Sequence, residues 1–174
     1  PQQFSLEKLR KNKKDDMQAI IAVHEAGHAI TSILLMRTLP EVILSNSAGA
    51  NSAGFVLTDY KWNYISKKEI KNRMANLLGG FAAEKIIFGE ENVTYGATDD
   101  IQKATGLITT MLKQGGFGSV PAAYHTKHPD TRYFLHDINN TINSEAESWL
   151  KSAMKLAENT LKEQKALLLR MADY

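Results

Sequence analysis

The chain has 174 residues, a length that suits one domain with a sizeable hydrophobic core. Its formal net charge of +2 gives no sign of a nucleic-acid partner, and its 43% hydrophobic and 23% charged residues are the balance of a soluble globular protein. Because the sequence contains no cysteine, a disulfide framework, a thiolate metal site and a cysteine nucleophile are all excluded.

The first predicted element is a helix over about residues 16–37, which Pro40 ends. Its apolar residues lie on nearly all sides of the helix, as in a helix buried at the centre of a domain: Ile20, Ile21, Val23, Ala26, Ile30, Ile33 and Leu34. The apolar stretch 19–36 is interrupted by three ionisable residues. We therefore interpret it as a core helix rather than a membrane span.

Two short strands are predicted next, at residues 42–44 and 55–57, on either side of a turn rich in Ser, Asn and Gly. The second strand, Phe55-Val56-Leu57, would bind an extended substrate peptide if it formed a sheet edge with unpaired backbone groups. If it were an inner strand, its backbone groups would already be paired. The predicted fold class is mainly α with a small β-sheet.

The remaining elements are predicted as helices. Residues 66–69, Ser-Lys-Lys-Glu, form a capping box that starts a helix extending to about residue 88. Thr98 is the predicted N-cap of the next helix. A loop follows over about residues 119–130, and the pattern is helical from about residue 137 to the end, with residues 164–174 either continuing that helix or forming a separate one.

The stretch with the clearest chemistry is His24-Glu25-Ala26-Gly27-His28 on the first helix. Helical residues four apart differ by about 40° in direction, so both imidazoles project from one face and can share a metal ion. Glu25 would lie beside that metal, where a carboxylate can act as general base toward water. The alternative is two core histidines and a paired carboxylate, which would be costly to bury in mid-helix without such a purpose.

A catalytic zinc site needs a third protein ligand and leaves a position open for water. The sequence offers two candidates. Glu84 lies on the second helix among small residues that permit close helix packing, and Asp100 lies at the start of the third helix, where a side chain can project into a site. The spacing along the chain does not choose between them.

Three motifs carry a family resemblance. They are His-Glu-Ala-Gly-His at 24–28, Leu-Leu-Gly-Gly-Phe-Ala-Ala-Glu-Lys-Ile-Ile-Phe-Gly at 77–89 and Gly-Ala-Thr-Asp-Asp-Ile-Gln-Lys-Ala-Thr at 96–105. In this order and spacing they resemble the peptidase domain of the FtsH-type AAA+ zinc metalloproteases, over about residues 16–174. The resemblance implies a helical zinc metalloendopeptidase with Zn²⁺ as cofactor, Asp100 as the third ligand and Glu84 orienting a ligand histidine.

The resemblance also implies a division of the chain and of its parent. Residues 1–174 would be a single peptidase domain with a lead-in over 1–15, a metal-binding core over 16–118 and C-terminal helices over 131–174. No Walker A sequence occurs, so the AAA+ ATPase module is absent from this chain, which we expect to be a fragment of a longer protein.

In such a parent protein, the ATPase module would precede the peptidase domain and assemble with it as a homo-hexamer. The parent would be anchored in a membrane through its N-terminal part, with this domain facing the cytoplasm or an organelle matrix. Its substrates would be unfolded or membrane-extracted polypeptides.

Two alternatives to this function stay open at the level of sequence. One is a catalytically silent assembly module with the same fold. The other is an intramembrane metalloprotease, which can carry the same His-Glu-x-x-His motif but would need several further apolar spans.

Overall fold

The computed structural model describes residues 13–39, 65–124 and 140–173, and over these ranges the protein is mainly α-helical. The described residues contain six α-helices: α1 (Lys13–Thr31), α2 (Lys67–Leu77), α3 (Gly79–Phe88), α4 (Thr98–Gln114), α5 (Thr141–Glu163) and α6 (Lys165–Asp173). A π-helical turn, Ser32–Met36, extends α1, and two 3₁₀ turns, Glu90–Asn92 and Tyr95–Ala97, connect α3 to α4. The prediction of a mainly α fold is confirmed.

The predicted small β-sheet is not supported. No β-strand occurs within residues 13–39, 65–124 and 140–173. Both predicted strands, at 42–44 and 55–57, lie outside the described residues, so they stay predictions from sequence.

The helices enclose one hydrophobic core, in which α1 packs against α3 and α6 while α5 contacts α2, α3 and α4. Residues 17–36 are long and apolar enough to cross a membrane by length and composition. However, α1 contributes Val23, Ala26 and Ile30 to the core, each at most 2% exposed. The interpretation of this stretch as a core helix agrees with that burial.

The C-terminal end of α1 departs from a regular α-helix. Its last turn, Ser32–Met36, is π-helical and ends at Arg37, whose φ of 55° is left-handed. A side chain of α2 contacts this turn, since the Asn72 amide donates to the carbonyl oxygen of Leu35 at 2.9 Å. The predicted helix over residues 16–37 is therefore present but changes its winding after Thr31.

The helix predicted from residue 66 to residue 88 is divided in two. The capping box is present, with Ser66 and Glu69 each bonded to the other's backbone, but α2 ends at Leu77, and Leu78 has φ −87° and ψ 1°. Gly79 and Gly80 then start α3. Glycine is a poor helix former, and here its lack of a side chain is needed for packing, because a Cβ at Gly79 would lie 2.6 Å from the Thr31 hydroxyl.

Two further helix boundaries can be compared with the predictions from sequence. Thr98 is not the N-cap of α4, so that prediction was wrong: Thr98 is the first helical residue, Ala97 precedes it without a side-chain cap, and the Thr98 hydroxyl donates to the Tyr95 carbonyl at 2.6 Å. At the C-terminal end, a turn at Gln164 separates α5 from α6. Of the two possibilities predicted for the C-terminal residues, the structure therefore has a separate last helix.

Candidate metal centre

Helix α1 brings the two histidines of the His-Glu-x-x-His motif together. The centroids of the His24 and His28 rings are 4.7 Å apart, and their Nε2 atoms are separated by 3.0 Å. Two residues that are four positions apart on an α-helix have their side chains almost directly above one another. Both Nε2 atoms therefore point to one position beside the helix.

Asp100 completes a three-residue cluster from the start of α4. Its Oδ2 lies 3.2 Å from Nε2 of His24 and 3.1 Å from Nε2 of His28. The ligand atoms of these three residues all lie within 4.8 Å of one another, the one such group of metal-binding side chains among the described residues. Glu84 does not join this group, and its carboxylate lies on the opposite side of the His24 ring.

The other nitrogen of each imidazole is held by an acceptor. His24 Nδ1 donates to Oε1 of Glu84 at 2.7 Å, and His28 Nδ1 donates to the backbone carbonyl of Asn76 at 2.8 Å. A carbonyl or carboxylate oxygen accepts hydrogen bonds, so it fixes the proton on Nδ1. In the neutral rings the lone pair is then on Nε2, facing the shared position.

These acceptors are themselves anchored. Glu84 is 1% exposed, and its Oε2 accepts a hydrogen bond of 2.7 Å from the backbone N–H of Thr94. On the other side, the fully buried Thr31 hydroxyl lies 2.9 Å from Oδ1 of Asn76, the residue whose carbonyl holds His28. Both imidazoles are thus oriented by contacts that reach α2, α3 and the loop before α4.

The backbone of α3 also shapes the site. A Cβ added at Gly80 would overlap the His24 imidazole, 2.5 Å from its Cδ2 atom. The ring therefore lies flat against the peptide backbone in a space that only glycine leaves open. Gly27 makes a similar approach on α1, where a Cβ would lie 2.6 Å from that of Ala83.

The ionisable groups of this cluster shift one another's pKa values. Burial by itself would lower the pKa of His24, but hydrogen bonds and charge from Asp100 and Glu84 outweigh it and raise that pKa to about 9. Burial would raise the pKa of Asp100, yet the two histidines hold it well below its usual range. The pKa of Glu84 is also lowered, because bonds from His24 and Thr94 outweigh its burial.

The donor set fits zinc. Tetrahedral coordination with bonds of about 2.1 Å separates ligand atoms by roughly 3.4 Å. The three distances among the two Nε2 atoms and Oδ2 are 3.0, 3.2 and 3.1 Å, so small adjustments would admit the ion. The two imidazoles and the carboxylate are each partly exposed, and three protein ligands leave a fourth tetrahedral position for water.

Glu25 lies next to His24 on α1 and is partly exposed. Within the described residues, no hydrogen bond or ion pair involves its carboxylate. It is therefore distinct from Glu84, whose two oxygens are both engaged. Of the two glutamates near the histidines, only Glu84 is held by hydrogen bonds among the residues that the structure describes.

Known proteins of similar sequence identify the family of this chain. A sequence model of Peptidase family M41 matches residues 11–174. The chain belongs to peptidase family M41. It is 30% identical over 174 residues to the ATP-dependent zinc metalloprotease FtsH of Mesoplasma florum, covering 95% of this chain and 27% of the relative. It is also 30% identical to ATP-dependent zinc metalloprotease FtsH 1 of Thermoanaerobacter sp., covering 95% and 29%.

A third relative, the FtsH protease of Lachnoclostridium phytofermentans, is 34% identical over 135 residues, which cover 73% of this M41 chain and 23% of the relative. The chain thus spans about a quarter of the length of the relatives it matches. The predicted family and its metallopeptidase class are confirmed.

Sequence reasoning did not find every residue that shapes this M41 site. The structure brings His24, His28 and Asp100 together, with Glu84 and Glu25 adjacent to the histidines. The substrate strand predicted at Phe55-Val56-Leu57 lies outside the described residues. Three further contributors are Thr31, Asn76 and Thr94. The direct contacts of Asn76 with His28 and of Thr94 with Glu84 are made by a backbone carbonyl and a backbone N–H, which residue type does not reveal.

Proposed function

We propose that this domain is a zinc-dependent metalloendopeptidase whose metal is held by His24, His28 and Asp100. The observation that supports it most directly is the convergence of two Nε2 atoms and one carboxylate oxygen within 3.2 Å, while an oxygen acceptor holds the Nδ1 atom of each histidine. Zinc bound there would supply Lewis acidity, polarising the scissile carbonyl and lowering the pKa of water.

The protein's own residues have separate tasks in this proposal. Glu25 accepts the proton of the attacking water on its carboxylate and delivers it to the amine nitrogen that leaves. Glu84 keeps the proton of His24 on Nδ1 and so holds the ring in its ligand orientation. The carbonyl of Asn76 does the same for His28.

The proposed general base is tested by Glu25→Gln, which preserves size and removes the proton acceptor. We expect the variant to retain about one zinc per chain and to lose peptide hydrolysis by several orders of magnitude. Zinc content and casein hydrolysis would be measured beside Glu147→Gln, a matched change at an exposed helical glutamate.

The outcomes separate the alternatives. Hydrolysis at the wild-type rate by Glu25→Gln would reject Glu25 as the base. A wild-type protein that holds zinc but cleaves nothing would favour the silent assembly module. Cleavage that requires detergent or lipid would favour the intramembrane alternative.

For the parent protein, we propose an ATP-dependent protease in which this domain follows an AAA+ ATPase module in a membrane-anchored homo-hexamer. The relatives carry the name ATP-dependent zinc metalloprotease and are more than three times as long as the chain, which leaves room for such a module. Its substrates would be unfolded or membrane-extracted polypeptides, and Phe55-Val56-Leu57 stays the proposed substrate-binding strand. Analytical ultracentrifugation and ATP-dependent casein hydrolysis by the full-length protein test the assembly and the coupling.

A further inference from the structure

A lysine lies beside the candidate metal centre on the side formed by α4. The Nζ atom of Lys103 is 3.8 Å from Oδ1 of Asp100, one helical turn earlier in the chain. The other oxygen of that carboxylate, Oδ2, is the one that approaches the Nε2 atoms of the two histidines. The carboxylate of Asp100 therefore lies between the ammonium group of Lys103 and the two histidines.

The distance from this ammonium group to the reacting position follows from the carboxylate. Its two oxygens are roughly 2.2 Å apart, so the Lys103 ammonium lies within about 6 Å of Oδ2. If a peptide bound at the two histidines and Asp100 runs along α4, a side chain next to the scissile bond would pass this group. At such a distance, Coulomb interactions between unit charges remain appreciable even with largely aqueous screening.

The ammonium group is also accessible. The side chain of Lys103 is 47% exposed, whereas that of Asp100 is 19% exposed. A distance of 3.8 Å is long for a charge-assisted hydrogen bond, so Asp100 leaves donors of the ammonium group free. These donors can meet a carboxylate of a bound peptide without displacing Asp100 from the histidines.

We propose that Lys103 selects peptide substrates by charge, favouring acidic side chains next to the scissile bond over basic ones. This inference rests on the proposed peptidase function of the same site. Lys103 is a specificity-determining residue in this proposal, and the peptide bond is cleaved by the groups already described.

The test uses three peptides that are identical except for Glu, Gln or Lys immediately after the scissile bond. For each protein, the ratio of kcat/KM for the Glu peptide to that for the Lys peptide is measured. A change in zinc content or folding affects both peptides alike and cancels in this ratio. Removing the charge takes an attraction from the Glu peptide and a repulsion from the Lys peptide. At about 6–8 Å and an effective dielectric constant of roughly 40–80, it should therefore lower the ratio by about sixfold to 100-fold.

The variants are Lys103→Met, which keeps length without charge, Lys103→Glu, which should lower the ratio further, and Lys103→Arg, which should restore it. Lys151→Met is the matched control, because Lys151 is also an exposed helical lysine paired with an acidic residue, but on α5. Raising the salt concentration should lower the Glu-to-Lys ratio of the wild-type protein toward that of Lys103→Met, since salt screens exposed charges.

A second readout does not depend on turnover. In the Glu25→Gln background, fluorescence anisotropy would give the Kd of each labelled peptide with and without Lys103→Met, and the same shift in the Glu-to-Lys ratio is expected. A ratio in Lys103→Met within threefold of wild type, in both assays, would overturn the proposal and leave Lys103 as a helix-surface partner of Asp100. Failure of the wild-type protein to cleave the Gln peptide would instead count against the proposed peptidase function itself.

Discussion

Alanine at Gly80 tests how tightly the candidate site is packed. The added Cβ would lie 2.5 Å from Cδ2 of His24, whereas carbon atoms in contact prefer about 3.5–4.0 Å. The imidazole would therefore have to move by about 1 Å. It is held at 2.7 Å by Glu84, so it cannot move without loss of that bond or of its alignment with the other ligands.

The expected magnitudes follow from this displacement. Metal sites tolerate deviations of about 0.2 Å in ligand distance, so Gly80→Ala should weaken zinc binding by at least 10- to 100-fold. Overpacking costs about 1–3 kcal/mol, and the better helix propensity of alanine offsets about 1 kcal/mol of it. The net loss in the free energy of unfolding should be about 1 kcal/mol.

Gly106→Ala is the matched control. Gly106 also lies in a helix, but apart from its chain neighbours and the backbone of its own helix, no atom of the described residues lies within 4 Å of the position a Cβ would take there. This variant should gain about 0.5–1 kcal/mol of stability and keep its zinc affinity. Competition with a chromophoric chelator and urea denaturation would measure both quantities. A zinc affinity for Gly80→Ala within twofold of that for Gly106→Ala would refute the steric argument.

Three further predictions concern the same site. His28→Ala should lose stoichiometric zinc, measured by metal analysis, and a full complement of zinc in that variant would reject the ligand assignment. Because the pKa of His24 is raised to about 9, the metal-free ring is protonated at neutral pH, so zinc binding at pH 7–8 should release about one proton from it and weaken as the pH falls. Calorimetry in buffers of different ionisation enthalpy measures this release, and binding without it would contradict the raised pKa. Thr31→Val should reduce zinc affinity by several-fold, because it removes the hydroxyl beside Asn76, while Thr31→Ser should not; equal affinities would show that this contact does not orient His28.

Local signals in the sequence predicted the parts of the fold that depend on neighbouring residues. The capping box at Ser66 and Glu69 fixed the start of α2, since both of its bonds are made within one turn. The histidine pair was predictable for the same reason. A spacing of four residues on an α-helix places two side chains on the same face, whatever surrounds the helix. Both features agree with the structure.

Features that depend on distant contacts could not be predicted in this way. The break at Leu78 accompanies the close approach of α3 to α1, seen at Gly79 and Thr31, and no local pattern reports that contact. The choice between Glu84 and Asp100 as third ligand depends on which side of the His24 ring each helix passes, and spacing carries no such information. Thr98 has a residue type favoured at N-caps, yet the preceding 3₁₀ turn places it inside the helix.

The separation between the proposed ligands along the chain has a consequence for polymer entropy. His28 and Asp100 are 72 positions apart, on helices α1 and α4. Folding already closes the loop of that length, at an entropic cost on the order of 4 kcal/mol by the loop-closure relation. An ion that binds both ligands therefore stabilises the folded chain by mass action, because the unfolded chain does not hold the two ligands together. Removing the zinc with a chelator should therefore speed amide hydrogen exchange first at the start of α4. That helix start carries Asp100, which lies far along the chain from the two histidines.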